Sequence, residues 1–339
     1  MDTLQYRSAM LGLFVVLGVA LDQGGTAAAQ PAYTLRYGVD TEGNINALAQ
    51  RIGERQGFFV REGINLQPVR FVATGDRPSD RTAMIAARDT FDMARMQLSV
   101  LMEPEGRFKG MNYVAVAAVV NNPVYFMVAR SDIKTFADLK GRTLTEPSTT
   151  DPITLTARKL MEMHGLMDGD VDVKYISGSR PRVDCLKSGM CAAGSLSQPS
   201  VFSALDAGLH TLAMHIDAGP LLYVVDIVDR SWAEAHSEII VRYIRATASA
   251  MRFIHDPQNR DEVVKAAMEV TRQPENRARE MLSYFQDPKN DVLPQQGEID
   301  VSKLKATTGL LAQYGIVKDP AAASERFVDL RYAKMAGIQ

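Results

Sequence analysis

The sequence predicts an α/β fold of two lobes, each built on a parallel-rich sheet flanked by helices. Three observations carry that prediction. Strand-like and helix-like segments alternate over residues 33–96 in the order strand, helix, strand, helix, strand, which builds a parallel sheet with right-handed crossovers. The alternation restarts at Thr143, beyond a long apolar stretch broken at Asn121-Asn122-Pro123. Past residue 227 strand patterns cease and amphipathic helices follow.

The elements follow in order. Residues 33–40, YTLRYGVD, alternate apolar and polar side chains, the period of a half-buried strand. Ile45, Leu48, Ala49 and Ile52 are spaced for a helix over 45–56, which Gly57 ends in left-handed geometry. A second strand is expected over 64–72, a short helix over 80–88 capped by Ser79 or Asp80, and a third strand over 91–96. The apolar stretch 113–129 contains Pro123, which cannot donate to a ladder. It therefore reads as two strands joined at a bend, where the chain leaves one sheet for another. Strands over 143–146, 171–176 and 191–196 alternate with helices over 153–164 and 180–187, which end at Gly165 and Gly189. A helix over 199–207 leads to strands over 211–215 and 221–227. Helices over 237–254, 260–271, 274–284 and 301–314 and a helical segment over 327–336 complete the chain. Asp256-Pro257, Asp287-Pro288 and Asp319-Pro320 punctuate them.

Composition narrows the function. The 339 residues exceed a single small core. Lys and Arg number 38 against 40 Asp and Glu, so no basic excess grips phosphates and nucleic acid is not an expected partner. Two cysteines are too few for a disulfide scaffold or a four-cysteine zinc site. Ser8 to Leu21 is an uncharged run of 14 residues, preceded by Arg7 and followed by Thr26-Ala27-Ala28-Ala29-Gln30. A spanning helix needs about 20 apolar residues. This pattern is instead that of a secretory signal peptide over 1–29, cleaved after Ala29, and a soluble periplasmic chain is expected.

Ligands of open parallel sheets bind beyond the carboxyl ends of the strands. That rule selects Asp40, Thr41, Gly43, Asn44, Thr74, Gly75, Arg95 and Gln97 in the first lobe. It selects Ser148, Thr149, Thr150, Asp151, Ser197 and Gln198 in the second, and Asn121, Asn122 and Tyr125 at the crossover. The hydroxyls of Ser148, Thr149 and Thr150 precede a helix start, where free N–H groups and the helix dipole favour an anion; plain N-capping is the alternative. Arg95 at a strand end is placed to clamp a carboxylate, sulfonate or phosphate, or else to pair with an acid such as Asp76 or Asp92. Cys185 and Cys191 flank a helix end and, in an exported chain, favour a disulfide. The five histidines are scattered, and neither a metal-ligand spacing nor a nucleotide or hydrolase motif is present in the sequence. No cofactor, metal or catalytic residue is expected.

Several segments resemble the NMT1/THI5-like group, the periplasmic substrate-binding proteins of nitrate, sulfonate, taurine and thiamine-pyrimidine ABC importers. They are YTLRYGVD, GERQGFFVREGINLQPVRF, PVYFMVARSDIKTFADLKGRTL, LKSGMCAAGSLSQP and SWAEAHSEIIVRYIRATASAMRFIHDPQN, in the family's order and spacing. The resemblance implies a type II two-lobed clamp with discontinuous domains: residues 30–121 and 222–339 in one lobe, 122–221 inserted as the other. It implies hinges near Asn121–Pro123 and Gly219-Pro220. It further implies a monomer that binds a small molecule, here an organic anion such as a carboxylate or sulfonate. That molecule passes to an ABC permease and its ATPase, the only link to a membrane. Cys191 stands where the family commonly has an acid, and Arg95 where it has a small residue. Two alternatives are an enzyme on the same fold, desulfinase-like or pyrimidine-synthase-like, and a sensor that presents its ligand to a signalling partner.

Overall fold

The computed structural model describes residues 33–39, 45–70, 88–103 and 112–338. The expected signal peptide and all but the last residue of the expected helix over 80–88 lie outside these residues. So do the candidates Asp40, Thr41, Gly43, Asn44, Thr74 and Gly75.

Two five-stranded sheets organise the chain. The first contains β1 (Tyr33–Val39), β2 (Ile64–Arg70), β3 (Met93–Gln97), β4 (Tyr113–Val120) and β10 (Val224–Asp229), in the order β2-β1-β3-β10-β4. The second contains β5 (Tyr125–Ala129), β6 (Thr143–Glu146), β7 (Asp172–Tyr175), β8 (Ala193–Ser197) and β9 (His210–Met214), in the order β7-β6-β8-β5-β9. β1 runs parallel to β2 and β3, and β6 parallel to β7 and β8. β10 is antiparallel to both its neighbours, as is β5. Each sheet is therefore mixed, with a single reversed strand. That reversed strand is the one on which the chain enters from the other sheet: β5 follows β4 through Asn121–Val124, and β10 follows β9 through residues 215–223.

Helices cover the sheets. In chain order they are α1 (Leu48–Arg55), α2 (Phe58–Arg61), α3 (Leu98–Leu101), α4 (Pro152–Met163), α5 (Ser179–Lys187), α6 (Ser200–Asp206), α7 (Arg230–Ala235), α8 (Ser237–His255), α9 (Arg260–Thr271), α10 (Glu275–Gln286), α11 (Val301–Gln313), α12 (Pro320–Phe327) and α13 (Arg331–Met335). The longest, α8, buries Ile240, Ile244, Ala248, Met251 and Ile254 on one stripe. Glu238 in its first turn and Arg252 and His255 in its last complement the helix dipole. One apolar cluster joins the two sheets: Val119 and Val120 of β4, Phe126 and Val128 of β5 and Leu196 of β8 pack with residues of α1, α8, α9 and α10.

Three expectations shift. The strand expected over 221–227 begins only at Val224. The helical segment expected over 327–336 is two helices, because Val328 turns extended and bridges Ala115 of β4 while Asp329 N donates to the Ala115 carbonyl. The short helix α7, capped by Asp229 through Ser231 N and Trp232 N, has no counterpart in the sequence reading. Cys185 and Cys191 form a disulfide, with Cα atoms 5.3 Å apart.

Candidate functional site

The two crossovers lie side by side. Tyr223 N donates to the carbonyls of Val120 (3.1 Å) and Asn121 (2.9 Å). Asn122 fastens them together: its Oδ1 accepts from Leu221 N (2.8 Å), and its Nδ2 donates to the carbonyls of Asn290 (3.0 Å) and Asp291 (3.3 Å). Each polar atom of this buried side chain is thus engaged by backbone, and Asn122 fastens the two crossovers together. Asn121 sits alongside, its Nδ2 directed to Asp291 Oδ1 at 3.5 Å and its buried Oδ1 unpartnered.

Beside the crossovers lies a small open pocket, with room for about 30 Å³ in this structure. The segment before α1 supplies Ile45 and Asn46, the first crossover Pro123, Val124 and Tyr125, and the end of β8 Ser197 and Gln198. Tyr223 enters from the second crossover and Phe285 from α10. Tyr125 and Tyr223 meet edge to face with ring centroids 6.3 Å apart and their hydroxyls hydrogen-bonded. Gln97 Nε2 donates to the Tyr223 hydroxyl at 2.8 Å. Burial, with the Asp151 carboxylate acting on both rings, raises both phenol pKa values, so the pair presents neutral hydroxyls. Ser197 is held through Ser179, whose Oγ accepts from Ser197 N at 3.0 Å and lies 2.9 Å from its Oγ. Gln198 is different. It is 7% exposed, and neither its Oε1 nor its Nε2 has a hydrogen-bond partner.

Two features from which an anionic ligand was expected lie beside the protein's own acids. At the start of α4, Asp151 accepts from Ile153 N (2.9 Å), and Thr150 Oγ1 donates to Glu103 Oε1 (2.7 Å). Two carboxylates therefore occupy the neighbourhood of that helix N-terminus, while Ser148 and Thr149 point to solvent as exposed residues outside the pocket lining. Arg95, at 3% exposure, stands directly opposite Asp226 across the β3–β10 pair. It does not line the pocket. Asp92, one acid weighed as its partner, pairs with Arg36 instead. Asp226 accepts from the hydroxyls of Tyr37 (2.5 Å) and Tyr243 (2.8 Å), and Gln50 Nε2 donates to both tyrosines. Burial pushes the Asp226 carboxyl up to about 6 against the pull of those hydroxyls and of Arg95.

A second buried polar chain lies in the second sheet. The Ser195 hydroxyl donates to Glu146 Oε1 (2.6 Å) and lies 2.9 Å from His215 Nε2; His215 Nδ1 lies 2.8 Å from Thr156 Oγ1. Burial raises the Glu146 carboxyl to about 8 and, together with the Arg182 charge, lowers His215 to about 3. Arg182 is itself buried, donating to the carbonyls of Ser195 (2.7 Å) and Ile176 (2.9 Å) and to Ser179 Oγ (3.0 Å).

Of the described candidates, the structure brings Tyr125, Ser197 and Gln198 into the pocket and places Gln97 behind Tyr223. Sequence reasoning missed Tyr223 and Phe285. Tyr223 follows Gly219-Pro220, the second hinge expected, as Tyr125 follows Pro123, and that parallel was the available signal. Among the described residues no group of three His, Cys, Asp or Glu is placed to hold a metal ion. No described helix is long and apolar enough to cross a membrane.

The model of the NMT1/THI5-like family matches residues 44–260. No curated protein matches the sequence significantly. Solved structures match across nearly the whole chain at low identity. The ligand-binding component of an ABC-type import system from Staphylococcus aureus, with zinc bound, has a TM-score of 0.72 at 15% identity, covering 91% of this chain and 99% of that one. The alkanesulfonate-binding protein SsuA from Xanthomonas axonopodis pv. citri, bound to MOPS, has a TM-score of 0.64 at 20% identity, covering 89% and 100%. The desulfurization enzyme DSZB has a TM-score of 0.63 at 14% identity, covering 89% and 98%. These likenesses establish the type II binding-protein fold, with two mixed sheets flanked by helices.

Proposed function

The chain belongs to the NMT1/THI5-like family, and from that premise we propose that it is the solute-binding component of an ABC importer. It works in the periplasm, captures a small organic molecule between two lobes, and hands it to a permease and its ATPase. The lobes are the two sheets with their helices, divided as residues 30–121 with 222–339, and 122–221. The observation that supports this reading best is the pocket itself. It is assembled from both crossovers, two strand ends of the second sheet, the segment before α1 and α10, and its lining includes Gln198, whose buried carboxamide is unsatisfied. A buried amide with both atoms unpaired is costly, and a ligand that pairs them removes the cost.

Binding rather than catalysis is favoured by the chemistry available. Both cysteines of the chain are in one disulfide, so it has no thiol nucleophile. Ser195 and His215, which are in hydrogen-bond contact, are completely buried. The test is a thermal-shift screen of the mature chain against small organic solutes, followed by uptake in cells lacking the gene. A ligand of the folded state raises the melting temperature by mass action. The compound that does so is expected to lose its uptake in the deletion strain and regain it on complementation. Unchanged uptake, or conversion of the compound by the purified chain, overturns the transport reading in favour of the sensor or the enzyme.

A further inference from the structure

We propose that the pocket selects an uncharged, planar solute carrying a donor and an acceptor side by side, as a primary amide or a lactam does, and discriminates against the matching carboxylate. The inference rests on the reading of this pocket as the capture site and names the chemistry of its ligand. Gln198 supplies the selection. Its carboxamide presents one acceptor and one donor group in a plane, both buried and both unpartnered at the pocket wall. A carboxylate satisfies the Nε2 donors and leaves Oε1 facing a second oxygen. An ammonium satisfies Oε1 and leaves Nε2 unpaired. Only an edge with a donor and an acceptor at amide spacing pairs both atoms, and because the terminal amide can rotate, either orientation of the ligand is served.

The surroundings agree. The other polar side chains of the wall are neutral: Asn46, the Tyr125 and Tyr223 hydroxyls and Ser197. The Asp151 carboxylate acts on both tyrosine hydroxyls and the buried Arg182 guanidinium acts on Tyr125 with the opposite sign, so the wall carries no uncompensated positive charge. Arg95 stands opposite Asp226 and outside the lining. The Tyr125–Tyr223 pair and Phe285 border the pocket with aromatic rings.

Isothermal calorimetry on the mature, disulfide-bonded chain tests this with two matched pairs, nicotinamide against nicotinate and benzamide against benzoate, and with benzenesulfonate as a second anion. The amides are expected to bind at least tenfold tighter than their carboxylates. Gln198→Leu and Gln198→Glu are each expected to weaken the amides by at least tenfold. The Leu variant removes two unsatisfied buried polar atoms, so its ligand-free melting temperature is expected to equal or exceed that of the parent, which separates lost recognition from lost folding. Carboxylates or benzenesulfonate binding as tightly as the amides, or amide affinity retained in both variants, overturns the ligand class while leaving the capture site standing. Failure of all five probes to bind, together with failure of the wider solute screen, overturns both.

Discussion

At the scale of single residues, the most consequential placement is Glu146, buried at the end of β6 with one oxygen bonded by Ser195 and the other unpartnered. Folding holds its carboxyl at about 8 against an ordinary 4.5, because burial disfavours the charged form. The folded chain therefore keeps a proton that the unfolded chain releases. Its contribution to stability is complete below pH 4.5 and is lost as pH rises through 8. His215, held at about 3 against 6.5, has the opposite sign: its contribution is complete above 6.5 and is lost as pH falls through 3. Asp226, held at about 6, has given up most of its contribution by that pH. Of these three groups, Glu146 alone acts strongly between pH 6.5 and 8. The melting temperature is expected to fall across that interval, and Glu146→Gln is expected to flatten the fall. A wild-type profile that is level or rising there refutes the assignment. None of this chain of contacts was legible in the sequence, because Glu146, Ser195 and His215 are far apart along it and each reads locally as an ordinary strand-end residue.

At the scale of elements, the sequence was most informative where periodicity is strong. Apolar spacing located β1, α1, the break at Asn121–Pro123 and the long helix α8, because each buries one regular face. It failed where tertiary contact overrides local pattern, as at Val328, which leaves the helical path to bridge Ala115. Of the residues the strand-end rule selected, Tyr125, Ser197 and Gln198 line the pocket, whereas Asn122 bonds to backbone at 221, 290 and 291. That bonding has a measurable consequence. Asn122→Leu orphans the buried Leu221 amide and strips a partner from the part-buried carbonyls of Asn290 and Asp291, which water can reach. An unsatisfied buried group costs about 1–3 kcal/mol, so the expected loss is about 2 kcal/mol. Urea unfolding measures it, and a change below about 0.5 kcal/mol, the range of an ordinary surface substitution, would show that the crossovers do not depend on this fastener.

At the scale of the whole molecule, the proposed capture between two lobes implies an equilibrium between an open and a closed form. The apolar cluster spanning both sheets holds them near the crossovers. Farther out, a polar contact joins the chain after β3 to the chain after β6: Thr150 Oγ1 donates to Glu103 Oε1 at 2.7 Å. Glu103 follows α3 on the side of the first sheet, and Thr150 precedes α4 on the side of the second, and we propose that this bond forms only in the closed clamp. A net hydrogen bond contributes about 0.5–1.5 kcal/mol, and more where a group is left buried without its partner. Removing one that is present only in the closed form lowers the closed fraction, and apparent affinity falls in the same proportion. Thr150→Val keeps the shape and deletes the donor. It is expected to weaken binding of the captured solute by about tenfold, the equivalent of about 1.4 kcal/mol. The loss is expected chiefly as faster dissociation, since the lobes reopen without the latch. Glu103→Gln keeps an acceptor and is expected to show a smaller loss. Stopped-flow release kinetics distinguish the two variants. Dissociation rates unchanged in Thr150→Val would mean that the pocket contacts alone hold the clamp shut, and that the Glu103–Thr150 bond merely follows closure.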